Sequence, residues 1–514
     1  MKKRLIFLLA VLLLPCSSLA AQDLETGYFL GGNPYAFRMN PAFQSERSIF
    51  SIALGQTGLG AWSNLGFSTL LYPDSNGYLY TFMNDRVNTA EFMRKIHKTN
   101  SVDADVRVNV LTLGFWSGRQ FFTFDVNVRS LNAVSAPYDV FSFLKEGTTS
   151  KNSFDFSGMG IQSKTFIETA FGWSKNYDDV FNVGFRAKAL VGVVEAEVMA
   201  RKLQMTLDGE HWEVRSESVL NASSPSLSYT RTESGELDFA SISLDDKHYG
   251  PAGYGAALDL GASWNVLPFL TLSAAILDLG PMRWNREIKG ISPESSYTWA
   301  PSGEDQEEGG SWEEEIDQAA ESLSGIFKFK EASSPGAVFE MLPYRVNLGA
   351  EFRMPFYDRL SVGALYQGRG GSCFVQHSGR LSLNWNPLTW MSFSTGTTVS
   401  KLGESIGFAF NLHPAGINLL LGCDYIPLHV VNAAPLFKEI PADLKPYAVL
   451  PRDQMKLNLY IGLNLAFGRR HVDHAKRYIE REVILEPEPD VYYDQDGEYP
   501  EGTPDVREIP AEAL

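Results

Sequence analysis

Between residues 455 and 468 the chain alternates without a break. Leu457, Leu459, Ile461, Leu463, Leu465 and Phe467 fall on one face, and Lys456, Asn458, Tyr460, Gly462, Asn464 and Ala466 on the other. A period of two belongs to a strand, because successive side chains leave a pleated backbone on opposite sides. In water, the apolar face of such a strand packs on a core. In an outer-membrane barrel the arrangement is inverted, lipid taking the apolar face and a hydrated lumen the polar one. A single strand fits both, so the reading depends on how the pattern recurs.

It recurs through most of the chain. Strands are predicted from about residue 48, over 103–116, around Phe122 to Val128, around Ile167 to Trp173, and around Val183 to Ala189. Further strands are predicted over 254–265, 270–279, 344–354, 360–367, 378–385, 391–399, 405–412 and 417–425, with 455–468 closing a set of about fourteen. Short connections at 117–118, 176–179, 266–269, 355–358, 386–387 and 413–414 follow even-numbered strands, and long excursions follow odd-numbered ones. A barrel with both ends in the periplasm has this order, with short turns below and long loops outside; a soluble sheet protein has no reason to keep it. Within the excursions, Asn88-Thr89-Ala90-Glu91 reads as a capping box opening a short helix to Lys98, and a second helical segment is expected over 138–144. No fixed repeat period suggests a solenoid.

The N-terminus sharpens the choice. Lys2, Lys3 and Arg4 precede an apolar run from Leu5 to Leu14, and Ser18-Leu19-Ala20 reads as a small-x-small cleavage site, so residues 1–20 are expected to be a secretory signal peptide. No later stretch is apolar for the roughly 18 residues of a spanning helix, which leaves a closed barrel as the form that could cross a membrane. The net charge of −17 is concentrated. Residues 286–340 and 471–514 each hold thirteen acids against four bases, and the remainder is close to neutral. Nucleic-acid binding is therefore not expected. Cys373 and Cys423, the two cysteines beyond the leader, are too few for a disulfide framework.

Several phrases carry a family resemblance: Asn40-Pro41-Ala42, Ala257-Leu258-Asp259-Leu260-Gly261, and Ala275-Ile276-Leu277-Asp278-Leu279-Gly280-Pro281-Met282-Arg283-Trp284. With the leader and the strand count, they resemble the FadL-like barrels of the long-chain fatty-acid transporter superfamily. Thr26-Gly27-Tyr28-Phe29-Leu30 and Asn40-Pro41-Ala42-Phe43 are more similar still to the Bacteroidota domain of unknown function 5723 family. The resemblance implies that the segment before the first strand plugs the lumen as a hatch, with Asn40, Pro41, Ala42 and Phe43 inside the barrel. From the residues alone, Asn-Pro disfavours helix and Pro cannot donate to a ladder, which suits a loop or plug better than a strand.

The expected organisation is thus all-β: a signal peptide over 1–20, a hatch over 21–46, a transmembrane antiparallel barrel over 47–468, and an acidic, proline-rich periplasmic tail over 469–514. Alternation points Asp125, Arg129, Glu168, Arg186, Lys188, Asp259, Arg345, Glu351, Arg353, Arg380 and Lys456 into the lumen, where charges of both signs either brace wall and plug or guide a substrate. Residues 311–330 read as an amphipathic extracellular helix. Ser311 is its N-cap, and Trp312, Ile316, Leu323 and Phe327 lie on its apolar side. No Gly-x-Ser-x-Gly elbow, His-Glu-x-x-His pair or phosphate loop is present, so neither an enzyme nor a cofactor is expected. His471 and His474, and Asp494-Gln495-Asp496-Gly497, lack the further ligands a metal site needs. The expected function is a passive channel for a hydrophobic or amphipathic small molecule in a lipid outer membrane. The alternative is an anchoring protein, like the barrels of the type IX secretion system, with a periplasmic protein partner on the tail.

Overall fold

The computed structural model describes residues 24–468 apart from 54, 74–78, 148–150, 178–179, 209–210, 229, 231–242, 245–249, 286–287, 293–329, 332–335, 371–375, 401–402, 415, 428–429, 433–448 and 452–455. Fourteen antiparallel strands form its wall. β1 is split into Ser48–Ile52 and Thr57–Ser63. β2 (Thr99–Ser117), β3 (Gln120–Pro137), β4 (Gly160–Tyr177) and β5 (Phe181–Asp208) follow. Next are β6 (Gly253–Leu267), β7 (Leu270–Leu279), β8 (Arg345–Arg353), β9 (Leu360–Arg369) and β10 (Gln376–Leu388). β11 (Met391–Ser400), β12 (Gly403–Leu412), β13 (Ile417–Pro427) and β14 (Lys456–Phe467) complete the wall. β14 pairs with β13 on one side and with both halves of β1 on the other, for example Ser48↔Phe467 and Thr57↔Ile461. The fourteen-strand wall therefore closes on itself, which is the form a sheet needs where no water can satisfy an edge.

The side chains of β14 settle which way the alternation faces. Leu459 and Leu465 are 42% and 54% exposed on the outside, whereas Asn458 and Tyr460 are 0% and 1% exposed inside. Other strands repeat this, with Leu348, Val362, Leu381, Leu383, Val399 and Ile417 outward and Asn347, Ser361, Ser382, Asn384, Thr398 and Asn418 inward. An apolar exterior around a polar interior is the inverse of a water-soluble sandwich and suits a hydrocarbon solvent. Exposed aromatics gather at the two ends. Phe115, Phe181, Trp264, Phe352, Trp385 and Phe467 mark the short-turn end, and Tyr254, Phe339, Tyr344 and Tyr366 the other, where amphipathic rings belong in a bilayer interface. No described helix is long and apolar enough to cross a membrane.

Tight connections join β2–β3 at Ser117↔Gln120, β6–β7 at Leu267↔Leu270 and β10–β11 at Leu388↔Met391. The last corrects the expectation of a turn at Asn386-Pro387: the pairing continues to Leu388 and the chain turns at Thr389-Trp390. A second correction concerns loop order. β11 and β12 pair directly at Ser400↔Gly403, so a two-residue connection lies at the long-loop end. The rule thus describes the large excursions and not every connection.

Above the wall, β5 runs on to pair with the strand His211–Ser223, which in turn pairs with Ile288–Ser292. Besides a single helical turn at Phe67–Leu70, two helices sit at this end among the described residues, α1 (Thr89–Lys95) and α2 (Tyr138–Glu146). Asn88 caps α1 by accepting from Glu91 N at 3.0 Å. Phe92 of α1 packs with Phe82 and with Phe141 of α2 in a small core outside the barrel. The predicted helix over 311–330, with Trp312, Ile316, Leu323 and Phe327, lies outside the described residues except for Lys330, which is in a short strand. Residues 1–23 and 469–514, which hold the expected leader and the expected tail with His471, His474 and Asp494 to Gly497, also lie outside them.

Candidate functional site

Residues 24–46 fill the short-turn half of the barrel interior. This segment is too rich in Gly, Asn and Pro to hold a regular element, and it folds as linked turns with two 3-10 turns, Glu25–Gly27 and Ala36–Arg38. Leu24, Leu30, Tyr35 and Phe37 pack on Ile49, Phe121, Ala409, Leu420 and Tyr460 of the wall. Polar contacts fix its position. Asp424 of β13 accepts from Glu25 N at 3.0 Å, and from Thr26 N and Thr26 Oγ1 at 2.6 Å each. Arg380 bonds Thr26 Oγ1 and lies 3.4 Å from Glu25 Oε2, while Tyr425 donates to Glu25 Oε1 at 3.0 Å. Burial raises the phenol pKa of Tyr28 and Tyr35, which keeps both as neutral hydroxyls.

Asn40-Pro41-Ala42-Phe43 forms a turn closed by Phe43 N donating to Asn40 O at 2.9 Å, with Pro at the position where its fixed φ is useful. Asn40 Oδ1 accepts from Ala42 N at 3.0 Å. Its amide reaches Tyr28 Oη at 3.3 Å, Ala262 O at 3.2 Å and Ala274 O at 3.4 Å. Asn347 of β8 donates to Met39 O at 2.8 Å. The wall meets this turn with glycines, because a methyl group at Gly184 would overlap the Pro41 carbonyl and one at Gly261 the Asn40 side chain. The break in β1 serves the same contact: around Ala53 (φ 56°) the chain bulges, Gln56 is buried, and its carbonyl accepts from Arg38 Nη1 at 3.0 Å.

Arg38 also links the plug to a layer of charge across the lumen. Its Nη2 meets Asp125 at 2.8 Å; Asp125 meets Arg186 at 2.7 Å; Arg186 meets Asp259 at 3.2 Å. Lys188 lies 2.8 Å from Asp259, 2.5 Å from Asp278 and 3.8 Å from Glu168. Arg129 bridges Glu168 and Asp278 at 2.9 and 3.0 Å, and Arg345 approaches Asp278 at 3.4 Å. The chemistry open to this set is electrostatic. Every carboxylate faces a cation, which is the condition on which buried charges persist.

Of the lumen candidates, Asp125, Arg129, Glu168, Arg186, Lys188, Asp259 and Arg345 are brought into this one network, and Arg380 into the plug contact. Glu351 and Arg353 stand apart, half-buried toward the short turns, where Glu351 accepts from Ser361 at 2.7 Å. Lys456 begins β14, and its side chain lies outside the described set. Arg38, Asp278, Asp424 and Glu25 are not among the lumen candidates that alternation gives. Nor is Arg369, which pairs with Asp105 at 3.2 Å.

Open space lies on both sides of the plugged layer. A vestibule of about 700 Å³ faces the short-turn end, lined by Phe29, Asn33, Gln44, Arg353, Asn386 and neighbours. A recess of about 60 Å³ lies on the long-loop side between Trp62, Phe166, Met282, Trp284 and Arg369. Above it, Glu195, Glu197 and Glu340 place oxygens within 4.8 Å of one another. Lys164 ion-pairs with Glu340, Asn221 donates to Glu197 and Ser223 to Glu195, so this acidic cluster already has protein partners.

Among solved structures, the chain is similar to the Ralstonia pickettii toluene transporter TbuX, at 11% identity over 88% of this chain and 100% of that one, with a TM-score of 0.42. It is similar to a Pseudomonas aeruginosa FadL homologue at 11% identity over 87% and 99%, with a TM-score of 0.40. With the Pseudomonas putida toluene transporter TodX the values are 8%, 88%, 96% and 0.38. No curated protein matches the chain. The family described as a family of unknown function, DUF5723, matches residues 41–424, from the turn of the plug to the carboxylate that anchors its first residues, and the chain belongs to that family.

Proposed function

We propose that the protein is an outer-membrane channel for hydrophobic or amphipathic small molecules, with residues 24–46 as its hatch, the long loops outside and the short turns in the periplasm. The observation that carries this reading is a sequence of spaces along one axis: recess, charged layer, plug, vestibule. The plug is a separate segment held by side-chain contacts rather than part of the ladder, so a path exists once it shifts. The inward charges belong to the gate on this reading, and Asp125 is the residue shared by plug and wall. The test is initial uptake of octanamide by a Gram-negative host without hydrophobic-solute channels of its own. Cells with the assembled barrel should exceed vector controls several-fold; equal uptake would reject the channel.

The density of contacts holding Glu25, Thr26 and Arg38 favours a second reading, an anchoring barrel whose lumen stays shut and whose tail over 469–514 meets a periplasmic protein. Equal uptake together with a partner captured by the full chain and lost on truncation after Arg470 would select it.

A further inference from the structure

The recess on the long-loop side has walls of two kinds. Phe166, Met282 and Trp284 make it apolar, and the buried Trp62, Asp103 and Arg369 make it polar. These polar groups are incompletely matched. Among the described residues, Asp103 accepts one hydrogen bond, from Ser101 Oγ at 3.0 Å, and makes no ion pair. Arg369 meets Asp105 through Nη2 at 3.2 Å and lies 4.6 Å over the Trp62 ring. Among the described residues its Nε and Nη1 and the Trp62 Nε1 have no acceptor.

Buried donors and acceptors without partners favour an occupant that supplies both. A hydrocarbon would supply neither. A carboxylate would serve Arg369 and Trp62 but set a second anion against Asp103, while the Arg369 charge is already offset by Asp105. The Lys164–Glu340 pair at the rim adds no net charge. An uncharged head group with one acceptor and one donor, a primary amide or an alcohol, meets both sides. About 60 Å³ holds such a head and little more, so the apolar remainder of the molecule rests on the aromatic wall and toward the mouth.

We propose that this recess selects amphipathic molecules with an uncharged hydrogen-bonding head, with Asp103 accepting from the head and Arg369 and Trp62 donating to it, and that it excludes carboxylates and plain hydrocarbons. The inference rests on the channel reading for its purpose but is tested by binding alone. The full chain, purified in detergent, is titrated calorimetrically at pH 8 with octanamide, octanoate and toluene. Octanamide should bind saturably and about tenfold more tightly than octanoate, and toluene should not displace it. Asp103→Asn should bring octanoate to within about threefold of octanamide. Equal or tighter octanoate binding by the native chain would overturn the proposal, as would an unchanged ratio in a heat-modifiable Asp103→Asn barrel. Should that variant not fold, Leu131→Trp fills the recess instead and should abolish saturable octanamide binding; its persistence overturns the proposal too. Uptake into cells without octanamide preference rejects the head-group selection and leaves the channel standing, whereas saturable binding without uptake does the reverse.

Discussion

The outward and inward faces of the same strands obey opposite rules. On β10, Leu381 is 62% exposed while its neighbour Ser382 is buried, and on β14 Leu465 and Asn464 repeat the contrast. Large apolar side chains stand outside with much of their surface exposed, and full charges lie inside with several partners. The outer face has lipid as its solvent, so its stability comes from matching hydrocarbon and from aromatics at both ends. The inner face is a protein core made of polar groups, in which the charges of the central layer hold one another and Arg38 of the plug joins them at Asp125. A substitution harmless on one face should therefore be costly on the other.

The largest effect is expected inside. Asp278→Ala removes the carboxylate shared by Arg129, Lys188 and Arg345 and should cost about 3–5 kcal/mol, read from urea unfolding in lipid vesicles. Little loss would mean that the inner charges are individually solvated and the contrast between faces is false. Outside, Leu381→Arg should cost about 2–4 kcal/mol if that position faces hydrocarbon; a value near zero would put β10 in water. Smaller and more local is Gly261→Val, whose side chain meets Asn40 and Pro41. Crowding of this kind costs about 1–3 kcal/mol, and the plug should yield before the wall. The expected readout is faster protease cleavage within 24–46 in a barrel whose heat-modifiable mobility is kept, and unchanged cleavage would mean that the plug does not rest on this glycine.

The wall was legible in the sequence because a period of two and its turn residues are local properties. Each of the fourteen strands, the cap at Asn88 and the inward direction of Asp125, Arg186 and Lys188 could be read from neighbours in the chain. The centre of the charged network could not. Strict alternation along β7 sends Asp278 outward with Ala274 and Ile276, and it faces inward only because its own backbone takes a left-handed conformation, φ 60°. Pairing to β6 shifts register at the same place, between Leu258 and Leu260. Arg38 and Glu25 were missed for another reason. They lie in the plug, where no period exists, and their partners, Asp125 and Arg380, are distant in sequence. Asp105 and Asp424 carried a usable signal, since each shares an inward face with asparagines, Asn109 on β2 and Asn418 on β13. The recess was beyond reach because Trp62, Phe166, Trp284 and Arg369 come from four separate parts of the chain.

On the channel reading, the plug over residues 24–46 is the removable part of the closure, and the wall stands without it. Single-channel conductance in planar lipid bilayers tests this directly, comparing the full chain with a variant lacking residues 27–43, each first shown to be a heat-modifiable barrel. The prediction is a silent or rarely opening full chain and a variant with steady, ohmic conductance. A folded variant that conducts no more than the full chain would contradict the account.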